Sequence, residues 1–170
     1  MTRVLKFLVV ALITIVATEV TTDAQVLKNL LQKATSSSTT EQTTSGTVNG
    51  KAAGVALKAI YKQYKADGKL DIKNLTNIAN IATLATNIAG LKGLTDKSTF
   101  YMDFVSGLIL GSENLVNQGN SSTIMGGLLN LANNVDLSNI AGILGNAKTS
   151  SSGEASELTS SLTSILGLLK

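Results

Sequence analysis

Apolar residues recur every three or four positions along most of the chain beyond residue 50, which is the spacing of one face of an α-helix. Leu, Ala, Asn and Thr dominate these stretches, and no run alternates apolar and polar β-branched residues as a strand would. Short Gly, Asn and Ser segments separate the stretches. The sequence therefore predicts an all-α protein, a single compact bundle of about six or seven helices with short Gly/Asn/Ser turns.

The N-terminal residues have the pattern of a secretory signal peptide. Arg3 and Lys6 precede an apolar run at residues 7–17, and a short polar stretch then ends at Ala24. The apolar run is too short to span a bilayer, which takes about 20 residues. We therefore expect cleavage after Ala24 and export to the periplasm, the outer surface or the extracellular medium. The mature protein would keep 146 of the 170 residues and begin at Gln25.

Composition predicts four segments along the chain. Residues 1–24 are the signal peptide, and residues 25–49 are a short helix followed by a Ser/Thr-rich linker. Residues 50–148 are the helical bundle domain, and residues 149–170 are a Ser-rich break with a C-terminal amphipathic helix. The linker is interpreted as flexible, with a glycosylated or adhesive stalk as the alternative. No transmembrane segment is expected after signal cleavage.

Within the bundle, three long helices are predicted at residues 50–67, 72–89 and about 96–118. Asp71 is the expected N-cap of the second helix. That helix has little polar circumference, so we expect it at the centre of the bundle. Its buried residues are predicted to be Ile78, Ile81, Leu84, Ala85 and Ile88.

Two further features concern packing. Gly107 and Gly111 lie one turn apart, and because each costs helix stability, the pair indicates close approach of another helix. The alternative is that the helix breaks near Gly111. The helix predicted at residues 154–170 has one apolar stripe and is expected to dock against the two long central helices. The stripe consists of Leu158, Leu162, Ile165, Leu166 and Leu169.

The composition argues against most catalytic chemistry. The chain has no His, Cys, Trp or Pro, so zinc, haem, thiol and Ser-His-Asp sites are excluded, and so are disulfides. The acids are scattered singly, and no phosphate-binding or dinucleotide motif is present. A net charge of +3 is too small for a nucleic-acid partner. We therefore expect neither an enzyme nor a bound cofactor or metal.

A stripe of four lysines is the first candidate site. Lys51, Lys58, Lys62 and Lys65 share one side of the first bundle helix, with Asp67 as the only acid nearby in sequence. Such a stripe suits contact with anionic lipid, acidic glycans or an acidic partner. The alternative is an ordinary solvated helix face.

Two other groups of residues are candidates. Phe100, Tyr101 and Phe104 predict either core packing or a pocket for a small apolar ligand. A charge-poor strip on the second helix predicts either an interhelical hydrogen-bond seam or a partner contact. The strip consists of Thr76, Asn80, Thr83 and Asn87.

The Ala24–Gln25 junction and the cysteine-free composition resemble those of small helical secreted proteins of unknown function from Gram-negative bacteria. That resemblance rests on no diagnostic motif, and it assigns no functional residues to this chain. The leading interpretation is a non-enzymatic interaction or structural module of the cell envelope. It would bind a protein partner or an envelope component, with peripheral membrane contact or homo-oligomerisation as ways of doing so. The alternative is a carrier or sensor of an apolar or anionic small molecule held between helices.

The exported protein is predicted to begin at Gln25, because signal peptidase cleaves after the small residue Ala24. Intact mass and N-terminal sequencing of the exported material test this. Exported protein that retains Met1 would contradict it.

Overall fold

The computed structural model describes residues 46–147 and 153–169. These residues form six α-helices and two short 3-10 turns without any strand, which confirms the all-α class. The helices are α1 (Gly46–Asp67), α2 (Leu75–Ile88), α3 (Thr99–Gly111), α4 (Ser121–Asn134), α5 (Ile140–Ala147) and α6 (Gly153–Leu168), and the 3-10 turns are Ala89–Leu91 and Leu137–Asn139. The predicted signal peptide and the helix expected near residues 25–34 lie outside the described residues.

Helix α2 lies at the centre of the structure, as its sparse polar surface predicts. It packs against α1 and also contacts α4 and α5, so it joins the two halves of the bundle. The five residues predicted to be buried on α2 are all buried: Ile78, Ile81, Leu84, Ala85 and Ile88. Their burial follows from the apolar periodicity of the helix.

Helices α1 and α3 pack at backbone contact, through five glycines that we call the glycine seam: Gly46, Gly50, Gly54, Gly107 and Gly111. A Cβ atom on Gly50 would overlap the carbonyl oxygen of Phe104, and one on Gly54 would lie 2.5 Å from the carbonyl oxygen of Leu108. Neither helix therefore has room for a larger residue at these points. The close approach predicted from the spacing of Gly107 and Gly111 is confirmed.

The order of these contacts shows that α1 and α3 run parallel. Gly46 meets the backbone near Phe100, whereas Gly54 meets it near Ser112, so both chains advance in the same direction. Helix α2 provides the return path between them. Since each seam glycine presents an α-hydrogen where its Cβ would stand, the seam suits Cα–H···O contacts, which contribute about 0.5–1 kcal/mol each.

The first bundle helix begins earlier than the sequence predicts. Residues 46–49 belong to α1, although their Gly, Thr and Asn content suggested the end of a linker. Gly46 stands one turn before Gly50, and both pack on α3. Tertiary contact outweighs the low helix propensity of glycine here.

The N-cap of α2 differs from the prediction. Asn74 caps the helix, because its Oδ1 accepts the backbone N–H groups of Thr76 at 2.9 Å and Asn77 at 3.4 Å. Asp71 instead accepts the N–H of Lys73 at 2.8 Å, which forms a local turn before the helix. The assignment of Asp71 as N-cap was therefore wrong by three residues.

Helix α3 ends at Gly111 and not near residue 118, so the predicted length was wrong, and the alternative of a break near Gly111 is confirmed together with the close approach. Glu113 and Asn114 have φ values of 49° and 71°, in the left-handed region that stops a helix. Ser112 is fully buried beside them, and its hydroxyl accepts the N–H of Val116 at 3.0 Å. This hydrogen bond holds the chain in the turn.

The C-terminal helix docks on the bundle, but on different helices from those expected. Its five stripe residues are buried, yet α6 packs on α4 and α5 and not on the two long helices. The closest approach is at Gly127, where a Cβ atom would lie 2.7 Å from Cγ1 of Ile165. Helices α1 and α3 pack on each other along the glycine seam, and α6 packs on α4 and α5 instead.

Replacing Gly50 with Ala should destabilise the protein by about 1–3 kcal/mol, because the new methyl group forces α1 and α3 apart. Gly126→Ala is the matched control, since Gly126 lies exposed within α4 with no atom near its Cβ position. That control should gain about 0.5–1 kcal/mol from helix propensity. Chemical denaturation of both variants measures the difference, and equal stability of the two would contradict the seam.

Candidate functional site

The predicted lysine stripe lies on the solvent side of α1. Lys51, Lys62 and Lys65 are exposed, whereas Lys58 is half-buried. At 3.6 residues per turn the four lysines lie within an arc of about 60°, between the seam and the side opposite the core. We call these four residues the lysine row.

Exposed aliphatic side chains flank the lysine row on α1. Val48 is 44% exposed and Val55 is 49% exposed. They lie seven residues apart, hence on the same side of the helix, and directly opposite its buried face. A valine on the solvent side gains little from core packing, so packing among the described residues does not account for these two residues.

Helix α3 adds two more exposed aliphatic residues on the other side of the row. Met102 is 53% exposed and Leu110 is 65% exposed. Leu110 directly precedes Gly111, where a Cβ atom would lie 2.8 Å from the backbone carbonyl carbon of Lys51. The solvent sides of the two helices therefore adjoin across the seam and form one surface.

We call this surface the outer face: Val48, Val55 and the lysine row of α1, with Met102, Ser106 and Leu110 of α3. It holds four of the five large apolar side chains that are exposed among the described residues. The fifth, Leu168, lies on α6 and is 42% exposed. Exposed apolar residues are thus concentrated on a single surface.

Lys58 is paired with Glu113, an acid that sequence proximity does not reveal. Its Nζ donates a hydrogen bond to the Glu113 carboxylate at the end of α3. This hydrogen bond and the charge of Lys58 lower the pKa of Glu113, and the charge of Lys62 adds to the effect against a small opposing contribution from desolvation. The view that Asp67 is the only acid near the row was therefore wrong.

The remaining lysines are held more loosely. The Nζ of Lys65 lies 5.7 Å from the centroid of the Tyr61 ring, within the range of a cation–π contact. Asp67 accepts a 2.7 Å hydrogen bond from Gln63 and pairs with no lysine. Lys51 and Lys62 form no ion pair with any residue that the structure describes. Their charges are thus available to an external partner.

The three aromatic residues proposed as a pocket pack between α3 and the turn after α2. Phe104 is fully buried, and its ring centroid lies 6.3 Å from that of Phe100. A Cβ atom on Gly90 would lie 3.1 Å from Cζ of Phe100. Tyr101 is half-buried, and desolvation raises its pKa with a further contribution from the charge of Asp96. These contacts are those of core packing.

The charge-poor strip of α2 bonds mainly to its own helix. The Thr83 hydroxyl donates to the carbonyl of Ala79 at 2.9 Å, and the Asn87 amide donates to the carbonyl of Thr83 at 2.7 Å. Thr76 is exposed and Asn80 is half-buried. Both hydrogen bonds stay within α2, so the contacts of the described residues do not favour an interhelical seam.

Sequence reasoning missed half of the outer face. Val48 falls in the segment predicted to be a linker, and Val55, Met102 and Leu110 are single apolar residues on otherwise polar helix sides. The helical projection of α1 alone places Val55 beside the lysines. The contribution of α3 becomes visible only when the seam brings the two helices together.

Two searches of the described residues bear on the nature of the site. Nowhere in residues 46–147 and 153–169 do three or more carboxylate, His or Cys residues cluster to hold a metal ion. In the same part of the chain, no helix is long and apolar enough to cross a membrane.

Comparisons with known proteins add no further assignment. No protein-family model matches the chain. No curated protein and no solved structure matches it either. The function must therefore be argued from the chain's own residues, and the resemblance to secreted Gram-negative proteins stays an interpretation.

Replacing Lys58 with Met should raise the pKa of Glu113 toward the ordinary glutamate value of about 4.3, because the main cause of its depression is removed. The pKa of Glu113 is lower in the folded protein than in the unfolded chain. The Lys58–Glu113 pair therefore stabilises the protein at pH values above the unfolded-state pKa, and this stabilisation is lost as the pH falls through the folded-state pKa. An NMR titration of the Glu113 carboxyl group measures the shift. An unchanged midpoint would show that the ion pair does not form in solution.

Proposed function

We propose that the protein is an exported, non-enzymatic interaction module of the cell envelope, and that it binds through the outer face. The observation that carries this proposal is the concentration, on one surface, of exposed aliphatic residues beside lysines that pair with no acid in the described part of the chain. Solvent-exposed apolar residues that cluster usually mark a binding surface. The alternative of an ordinary solvated helix face explains the lysines but not the exposed aliphatic residues Val55 and Leu110.

The construction of the outer face supports a binding role. Its two helices meet backbone to backbone along the glycine seam, so neither can shift without losing contact with the other. A surface that is already ordered loses little conformational entropy when it binds. The Lys58–Glu113 pair adds a second link between the helices at the end of α3.

The non-enzymatic part of the proposal rests on composition. The whole sequence lacks His and Cys, which are frequent general bases, nucleophiles and transition-metal ligands. Export is supported by the charged, apolar and small-residue segments that end at Ala24. The carrier alternative gains no support from Phe100 and Phe104, because the first packs on Gly90 and the second is fully buried.

Replacing Val55 and Leu110 together with Asn should release the protein from the envelope fraction of the cells that produce it, because the apolar part of the outer face is lost. The matched control replaces Thr163 and Leu168 with Asn, since both are exposed on α6. The control protein should stay with the envelope. Thermal unfolding must show that both variants keep the wild-type stability within about 0.5 kcal/mol, as expected for surface changes.

The opposite distribution would contradict the proposal. If the Val55→Asn/Leu110→Asn protein remains in the envelope fraction as the wild type does, the outer face does not provide the attachment. If the wild type is found in the cytoplasm with Met1 in place, the export on which the proposal rests is wrong.

A further inference from the structure

We infer that the outer face docks on the surface of a bilayer that contains anionic phospholipid. This inference rests on the proposed function and names the partner of the same face. The docking is peripheral, with α1 and α3 lying side by side on the membrane and their solvent sides turned toward the lipid.

Charge complementarity is the first argument. The lysine row brings four positive charges to the face, and the nearby carboxylates of the described residues are Asp103 on α3 and Glu113 just after it. Glu113 pairs with Lys58, whereas Lys51, Lys62 and Lys65 form no ion pair with any residue that the structure describes. Each lysine near an anionic membrane strengthens binding by about fivefold at physiological salt.

The position of the aliphatic residues is the second argument. Val48 and Val55 lie on one side of the lysine row, and Met102 and Leu110 lie on the other side. Lysine can extend its ammonium group to the phosphate level while its methylene stem and the neighbouring aliphatic residues enter the interface. A helical surface that combines lysine with adjacent aliphatic residues is found in segments that lie in the membrane interface.

The residue types favour lipid over a protein partner. Protein interfaces are enriched in aromatic residues, Met and Arg and depleted in Lys, and their hot spots are mostly Trp, Tyr and Arg. Of these favoured types the outer face has only Met102; its cations are all Lys, and its other apolar residues are Val and Leu. The only arginine of the whole chain is Arg3, and the chain has no Trp. Fluid lipid requires no matching pocket, so aliphatic side chains and mobile ammonium groups are sufficient.

The dimensions of the pair also suit a flat surface. Helix α1 has 22 residues and is therefore about 33 Å long. Because α3 runs parallel to it at backbone contact, the two helices present one continuous face two helices wide. Lys51 and Lys62 are about three turns apart on this face, so they reach separate lipid headgroups.

The test is flotation of the purified protein, in the form that the cell accumulates, with phosphatidylcholine vesicles that contain or lack phosphatidylglycerol. We expect binding only when phosphatidylglycerol is present, and we expect it to weaken as salt is raised. Replacing Lys51, Lys62 and Lys65 with Gln should weaken binding on the order of 100-fold. The matched control replaces Lys73, Lys92 and Lys97 with Gln. These lysines are exposed but lie outside the outer face, so the control should weaken binding at most a few-fold.

A second pair of variants tests the aliphatic part. Leu110→Asn should weaken vesicle binding by about tenfold, because the side chain no longer enters the interface. Leu168→Asn removes an exposed leucine from α6 and should leave binding unchanged. Equal binding of these two proteins, or of the two triple-lysine variants, would overturn the inference.

Failure of this inference is distinguishable from failure of the proposed function. If the protein ignores phosphatidylglycerol vesicles at low salt but the Val55→Asn/Leu110→Asn change still releases it from the envelope, the lipid assignment is wrong and the interaction face stands. If polyglutamate binds the protein and the vesicles do not, the partner is an acidic polypeptide and the lipid assignment is again overturned.

Discussion

In the glycine seam, backbone atoms of one helix occupy the space in which a side chain of the other helix would begin. The backbone of Phe104 lies at the Cβ position of Gly50, and the backbone of Lys51 lies at the Cβ position of Gly111. This contact sets the parallel direction of α1 and α3 and their register. It also requires the chain to run back through α2 before α3 begins, and the apolar circumference of α2 is covered by α1 on one side and by α4 and α5 on the other. The seam therefore determines the arrangement of the bundle as well as the packing of one pair.

The outer face is a consequence of the same contact. The lysine row belongs to α1 and Leu110 belongs to α3, and only the seam makes them neighbours. The end of α3 at Gly111 likewise allows the chain to turn at Glu113, whose carboxylate then reaches Lys58. Lys51, Lys62 and Lys65 pair with no acid of residues 46–147 and 153–169, and the aliphatic residues stand on both sides of them. A single amphipathic helix could offer the lysines but not this two-sided surface.

Local pattern predicted much of the fold, because helix periodicity and burial depend on neighbouring residues. The buried side of α2, the docking of α6 and the close approach at Gly107 follow from spacing alone. Features that depend on distant residues were missed. Gly46 looks like linker until its contact with α3 is known, and the Lys58–Glu113 pair joins residues 55 positions apart. Asp71 and Asn74 are both suitable caps by residue type, and only the hydrogen bonds of Asn74 distinguish them.

The glycine seam can be measured directly by NMR in solution, through nuclear Overhauser effects between α-protons of the two helices. The Cβ position of Gly50 lies 2.9 Å from Cα of Phe104, and that of Gly111 lies 2.9 Å from Cα of Lys51. Strong α-proton effects are therefore expected for both pairs, in the order that parallel helices require. Their absence, with effects that instead connect Gly111 to the start of α1 near Gly46, would contradict the parallel seam and the outer face built on it.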